Sequence, residues 1–196
     1  MSRSDISPNL IHFTRGETLD GAFRRLQKII SDRKLIGSDN MIMGGHRCVC
    51  FSEAPLETLP NGLVNDDYYS KYSPFGITVS KKWLFEQGGR PVIYQPVSEY
   101  KVTSESQRWR HVTYELREGR TSSDFTWERE WRINCDELPF DQTAAAIVVR
   151  NLDWADRLVR EHDDDQEYLV RQYSLILADI AELYRESFGW SVLPLG

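Results

Sequence analysis

The chain is expected to form an α+β domain, and three observations predict it. Short strand-like runs follow one another through Gly- and Pro-containing turns instead of alternating with helices, which argues against a doubly wound parallel sheet. Segments near each end carry apolar residues at three-four spacing, so helices should flank the strands. The 196 residues are 40% hydrophobic and 28% charged, a globular balance. A domain of this length buries roughly 70% of its unfolded surface and needs no disulfide to fold.

Residues 9–14 (NLIHFT) read as the first strand. Thr18 can cap the helix that follows, in which Leu19, Ala22, Phe23, Leu26, Ile29 and Ile30 share a face, and Gly37 is its expected stop. After the Gly44-Gly45 turn, residues 47–52 (RCVCFS) form a strand. Residues 55–72, with Pro55, Pro60, Asn61-Gly62 and Asp66-Asp67, read as a surface loop that could cover a ligand, since long loops in compact domains are usually functional. Strands are expected at 75–80 (FGITVS) and 91–95 (PVIYQ), separated by a short helix at 81–87 and the Gly88-Gly89 turn. Residues 98–123 are polar, with helix expected around 109–116. Residues 126–134 (TWEREWRIN) alternate as a strand does, and 144–150 (AAAIVVR) form a buried strand. Helices should occupy 153–162 and 166–188, the second with Leu169, Tyr173, Ile176, Ile180 and Leu183 on its stripe, before a last strand at 190–195. No repeat, low-complexity segment or boundary divides the chain. A single domain over 1–196 is expected, with a motif-bearing core at 9–150 and a helical extension at 151–196.

Several function classes recede. The balance of 24 basic to 30 acidic residues, net −6, leans away from a protein that mainly grips a nucleic-acid backbone, although a local basic groove remains open. No G-x-G-x-x-G follows the first strand and no G-x-x-x-x-G-K occurs, so neither phosphate-binding loop is present. Cys48, Cys50 and Cys135 are too few and wrongly spaced for a disulfide framework or a zinc site; they read as small buried hydrophobes in a reducing cytosol. The N-terminal MSRSDISPNL lacks a signal-peptide core and no apolar run approaches ~18 residues, so a cytoplasmic protein without membrane spans is expected.

The segment Trp127 to Ile133 is the most informative. On one strand, Glu128, Glu130 and Arg132 share a face while Trp127, Arg129, Trp131 and Ile133 share the other. Two carboxylates this close repel, and a fold tolerates that where they do chemistry. The alternative is a solvated face with an ordinary Glu130–Arg132 ion pair. His12, on one face with Leu10 and Thr14, is either a satisfied core residue or a hydrogen-bonding group for a ligand. Arg47, with Ser52 and Glu53 at a strand end, marks either a site or plain turn chemistry. Tyr68, Tyr69, Tyr72 and Phe75 can stack on a planar ring or pack beneath the loop.

The order of these motifs carries a resemblance. HFT before an amphipathic helix is followed by VCFSEAPL, Y-x-x-F-G-I, a K-x-W-L-F helix, GGRPVIY and WEREWRI. Over residues 9–150 this resembles the bacterial abortive-infection AbiGi family and a related group with an E-x-E-W-R box, and, more distantly, the ADP-ribosyltransferase fold including DarT-type enzymes. The resemblance implies a split, twisted β-sheet core with flanking helices, and NAD as substrate. It implies that His12 holds the ribose, with Thr14 beside it, and that Arg47 or Ser52 belongs to a second motif, although FSE departs from that motif's better-known forms. Glu130 would support the reaction with Glu128 as its neighbour. Tyr72 and Phe75 would contact the nicotinamide or adenine ring. The implied activity is transfer of ADP-ribose to an unknown macromolecular acceptor, protein or nucleic acid, in a toxin or anti-phage system. The alternatives are a catalytically inactive binding module, serving as antitoxin or sensor beside a partner protein of a two-component system, and an NAD glycohydrolase.

Overall fold

The computed structural model of the chain describes residues 6–53, 72–116 and 123–195. The strands are β1 (Asn9–Phe13), β2 (Lys34–Ile36), β3 (Cys48–Ser52), β4 (Gly76–Ser80), β5 (Arg90–Pro91), β6 (Ile93–Gln95), β7 (His111–Thr113), β8 (Glu130–Asn134), β9 (Glu137–Pro139), β10 (Ala145–Val149) and β11 (Val192–Pro194). The helices are α1 (Leu19–Asp32), α2 (Lys81–Glu86) and α3 (Leu152–Leu177). A seven-stranded sheet runs in the order β11-β10-β4-β1-β3-β8-β5, with two-stranded ribbons β2-β9 and β6-β7 beside it. Within the large sheet only β10 and β11 pair in parallel. A mixed α+β architecture with a mostly antiparallel sheet is what the run of short strands predicted.

The large sheet has a seam. Strands β1 and β4 pair from Asn9↔Ser80 to Phe13↔Gly76, and β3 and β8 from Cys48↔Asn134 to Ser52↔Glu130. Strands β1 and β3 meet at the single pair Ile11↔Ser52. Beyond that pair the strands lack a ladder, so their backbone groups and side chains have room for other partners.

One face of the sheet is the core. Leu10, Val49, Phe51, Ile77, Val79, Ile133, Ile147 and Val149 pack with Ala22, Phe23 and Leu26 of α1 and Leu158 of α3. Trp154 meets Phe23 and Phe75 edge to face at 5.0 and 4.9 Å, and the two phenylalanine rings are tilted against each other at 5.5 Å. Truncating one of these buried rings costs about 3–5 kcal/mol.

Several element limits differ from expectation for identifiable reasons. Thr18 does cap α1, its side chain accepting from Gly21 N, but the helix ends at Arg33 in the left-handed region (φ 51°) and not at Gly37. Gly37 meets a different need: a Cβ there would lie 2.0 Å from the Cys135 carbonyl oxygen, where the chain from β2 passes close to the chain entering β9. The strand expected at 91–95 is divided between β5 and β6, which belong to different sheets. The helix expected at 109–116 is a 3₁₀ stretch, Glu105–Arg110, followed by strand β7. The strand expected at 126–134 begins only at Glu130; Thr126–Glu128 is a 3₁₀ turn and Arg129 is left-handed (φ 44°). The two C-terminal helices are one, α3, which ends at Leu177 and not at 188; the 3₁₀ stretch Ala178–Tyr184 then turns back along it, bringing the Tyr184 ring to 5.4 Å from that of Tyr173. Exposed aspartates at 163–165 cost a helix no more than about 0.7 kcal/mol each, too little to break it. Of the expected stripe, Leu169, Tyr173 and Ile176 lie on α3 and Ile180 and Leu183 on the 3₁₀ stretch, and all five are exposed. The loop expected at 55–72 lies outside the described residues except for Tyr72. Among the described residues no helix is long and apolar enough to cross a membrane.

Candidate functional site

A cavity of about 790 Å³ opens at the seam, within the range of small-molecule sites. The Ile11↔Ser52 and Ser52↔Glu130 pairings turn Ile11, Ser52 and Glu130 to one side of the sheet, and Cys50 and Arg132 follow by alternation. All five line the cavity. Ribbon β6-β7 contributes His111, Val112 and Thr113 to its wall, and Ile36, Met41, Ile42 and Met43 form an apolar side. Arg15 and Arg25 stand exposed at its rim.

His12 belongs by alternation to the core face, where it meets Phe51 edge-on at 5.8 Å. It reaches the cavity because the seam is open, and its Nδ1 lies 2.8 Å from the Cys50 carbonyl oxygen. A carbonyl only accepts, so Nδ1 carries the proton. Burial, with some help from the charge of Arg15, holds His12 below its usual pKa. The neutral ring therefore keeps a lone pair on Nε2, able to accept from a ligand hydroxyl.

Glu130 and Arg132 do pair, but not as a solvated ion pair. Arg132 Nε donates to Glu130 Oε1 at 2.9 Å and Nη2 to Oε2 at 3.2 Å, with side chains only 6% and 12% exposed. Arg132 Nη1 donates to the carbonyls of His111 (2.9 Å) and Trp109 (3.2 Å), so the guanidinium ties the carboxylate to the β7 region. The Glu130 N–H donates to Tyr94 Oη at 3.0 Å, a second tie to the same ribbon. Burial, reinforced by the nearby glutamates, pushes the Tyr94 hydroxyl up to about 12.

Glu128 does not reach the cavity through the strand pleat. The left-handed residue Arg129 turns the chain, leaving Glu128 4% exposed with Oε2 accepting from the Tyr72 hydroxyl at 3.0 Å. Burial and the charge of Glu128 raise the Tyr72 pKa, so the phenol keeps its proton. Ser52 Oγ donates to the Glu128 carbonyl at 2.8 Å, which makes Ser52 an anchor for the turn that carries Glu128. Trp127, expected on one strand face with Trp131 and Ile133, is 46% exposed, because it too sits on this turn and not on the strand.

Of the residues singled out by the sequence, His12, Thr14, Ser52, Tyr72, Glu128 and Glu130 line the cavity. Thr14 Oγ1 and N both donate to the Phe75 carbonyl, so its hydroxyl proton is engaged in the fold. Arg47 and Phe75 are not brought to the cavity. Arg47, at the end of β3 away from Ser52, pairs with Asp136 at 2.8 Å and donates to the Gly37 carbonyl. Phe75 is fully buried between Phe23 and Trp154. Glu53 is also structural, holding Lys81 Nζ at 2.6 Å and accepting from Trp131 Nε1. Tyr68 and Tyr69 lie outside the described residues.

Sequence reasoning did not single out His111, Tyr94, Arg15 or Arg25, and it read the thiols only as small buried hydrophobes. His111 accepts from Gln95 Nε2 on Nδ1 and so donates from Nε2 to Thr113 Oγ1; burial first, then Arg132, keep it below its usual pKa. Cys48 and Cys50 share a face, as their spacing requires, and all three cysteines are free. Burial raises Cys48 to about 11 and raises Cys50 further with the charge of Glu130, so both remain thiols. Among the described residues no cluster of three or more His, Cys, Asp or Glu could hold a metal ion. The site thus joins two carboxylates, a clamped guanidinium, a neutral imidazole and an apolar wall.

No family model, curated protein or solved structure matches the chain significantly.

Proposed function

We propose that the chain is an NAD-dependent ADP-ribosyltransferase-like protein acting on a macromolecular target, with the seam cavity as its active site. The observation that carries this reading is the convergence on one cavity of His12 from the first motif with Glu128 and Glu130 from the E-x-E-W-R motif. The setting, a cytoplasmic toxin or anti-phage system with a possible partner protein, rests on the resemblance in motif order.

The residues present fit NAD. The rim arginines Arg15 and Arg25 can hold a diphosphate, and the apolar side formed by Ile36, Met41, Ile42 and Met43 can cover a planar ring. Neutral His12 accepts from a ribose hydroxyl through Nε2. NAD supplies an ADP-ribosyl group whose nicotinamide departs as a neutral molecule. Glu130, immobilised by Arg132, offers fixed negative charge to the positive charge that develops on the ribose, without reorganising at that moment. Glu128 accepts the proton released by the acceptor nucleophile as its bond to the ribose carbon forms.

A second reading, a binding module without catalysis, is favoured by the same clamp, because both Glu130 oxygens already accept from Arg132. Incubation of the protein with labelled NAD and cell lysate separates the readings. Label appearing on a macromolecule together with released nicotinamide is the expected result. Nicotinamide release without transfer identifies a glycohydrolase, and NAD binding without release a non-catalytic module. The absence of both binding and release overturns the assignment of the cavity to NAD.

A further inference from the structure

Glu128 is gripped at two points. Ser52 Oγ donates to its backbone carbonyl at 2.8 Å, and the Tyr72 hydroxyl donates to Oε2 of its side chain at 3.0 Å. The donors come from separate parts of the chain: Ser52 ends β3, and Tyr72 precedes β4. Tyr72 is itself held. Its ring packs on Phe13 with centroids 5.1 Å apart, and the Arg15 guanidinium lies 5.8 Å from the ring centroid. The backbone beside it is tied to the end of β1, Ser73 N donating to the Thr14 carbonyl at 3.3 Å. Burial and the charge of Glu128 keep the proton on the phenol, so Tyr72 donates and does not compete as a base. At 4% exposure Glu128 has given up nearly all contact with solvent, and a buried carboxylate takes the direction its hydrogen-bond donors impose.

We propose that Tyr72 is a positioning residue, whose hydroxyl aims the Glu128 carboxylate at the acceptor nucleophile. The proposal rests on the reading of the cavity as an NAD site, and it gives Tyr72 a role through its hydroxyl and not through its ring. In the transfer step the nucleophile's lone pair forms the bond to the ribose carbon. The bond from that carbon to nicotinamide breaks, its electron pair going to the nicotinamide ring nitrogen, and the nucleophile's proton passes to Glu128. A base aids such a step only from within hydrogen-bond reach of the proton, and a displacement of about 1 Å costs on the order of 100-fold. Tyr72 therefore governs capture of the acceptor, which needs the base, whereas loss of nicotinamide draws on the charge of Glu130.

The test is a cycle of Tyr72→Phe and Glu128→Gln in the full chain, incubated with labelled NAD and cell lysate. The quantity measured is label transferred to macromolecules per nicotinamide released, a ratio that a smaller fraction of folded protein does not change. Tyr72→Phe keeps the ring on Phe13 and removes only the hydroxyl, and it should lower the ratio at least about tenfold. Glu128→Gln should lower it at least as far. Adding Tyr72→Phe to Glu128→Gln should change what remains by less than about twofold, because the hydroxyl then has no carboxylate to aim. This last comparison stands even where Tyr72→Phe alone fails to fold, since Glu128→Gln leaves no charge for the hydroxyl to satisfy. A ratio unchanged in either single variant overturns the proposal, as does an equal further loss in the Glu128→Gln background, which marks a structural role. A wild type that releases nicotinamide without transfer overturns it and spares the NAD reading; a wild type that releases no nicotinamide overturns both.

Discussion

Replacing Arg132 by Met tests whether the clamp on Glu130 is the structural basis of the site. The side chains of Arg132 and Glu130 are 6% and 12% exposed and joined by two hydrogen bonds. Removing one member of a buried pair costs about 3–5 kcal/mol, because the remaining charge is left without its partner. Glu130 borders a cavity that admits solvent, so the lower end applies, about 3 kcal/mol. Loss of the bonds to the carbonyls of Trp109 and His111 adds about 1 kcal/mol. A total of about 4 kcal/mol corresponds to a fall in Tm of roughly 8–16 °C for a chain of this size. Glu130→Gln alone should cost less, since Arg132 keeps its two backbone acceptors. The double variant Glu130→Gln with Arg132→Met should be more stable than the sum of the single losses by about 1.5 kcal/mol. Urea denaturation of all four proteins, followed by circular dichroism, measures the cycle. A loss below about 1 kcal/mol in Arg132→Met, or additivity within about 0.5 kcal/mol, would refute a coupled, buried clamp.

Two further outcomes follow from the same geometry. His12 and His111 are both held below their usual pKa by burial, so as pH falls through about 6.5 the unfolded chain takes up protons first. Their contribution is therefore fully present above that pH and is lost below it: Tm should be flat from pH 8 to 7 and fall towards pH 5, with a shallower fall in His12→Gln, whereas a rise in Tm on acidification contradicts the assignment. Gly76→Ala should cost about 1–3 kcal/mol in urea, because its Cβ would lie 2.4 Å from the His12 carbonyl oxygen, and backbone inside a paired strand cannot move aside; an unchanged midpoint contradicts the close approach of β4 to β1.

Much of the sheet was legible because strand periodicity and burial agree. NLIHF, CVCFS, GITVS and AAIVV all lie in strands close to where the pattern placed them. The limits that escaped prediction share a cause, which is backbone conformation without a residue signature. Arg33 and Arg129 both adopt the left-handed region, normally reserved for Gly or Asn, so neither the end of α1 nor the start of β8 was marked. This is why TWEREWRIN reads as one alternating strand while Glu128 in fact arrives on a turn. The convergence of His12 with the glutamates was expected from motif order, but the route was not: it depends on the single-pair contact between β1 and β3, a register that no local pattern encodes. Arg132 was visible as a companion of Glu130, but the backbone carbonyls that make it a clamp come from residues about twenty positions earlier, and only the fold brings them there. Arg47 and Phe75 looked like site residues by their neighbours in sequence, and packing assigned them to an ion pair and to the core.

The most direct test of the account is nicotinamide release from NAD by the wild type and by Glu130→Gln, measured alongside NAD affinity by calorimetry. Gln preserves the size of Glu130 and one of its two acceptor oxygens for Arg132 while removing the charge, so the affinity measured alongside separates a loss of rate from a loss of the binding site. The account predicts release by the wild type, NAD affinity in Glu130→Gln within about threefold of it, and release slower by at least about 100-fold. Equal rates in the two proteins, or no NAD binding by the wild type, would contradict the claim that the seam cavity is an NAD-consuming site.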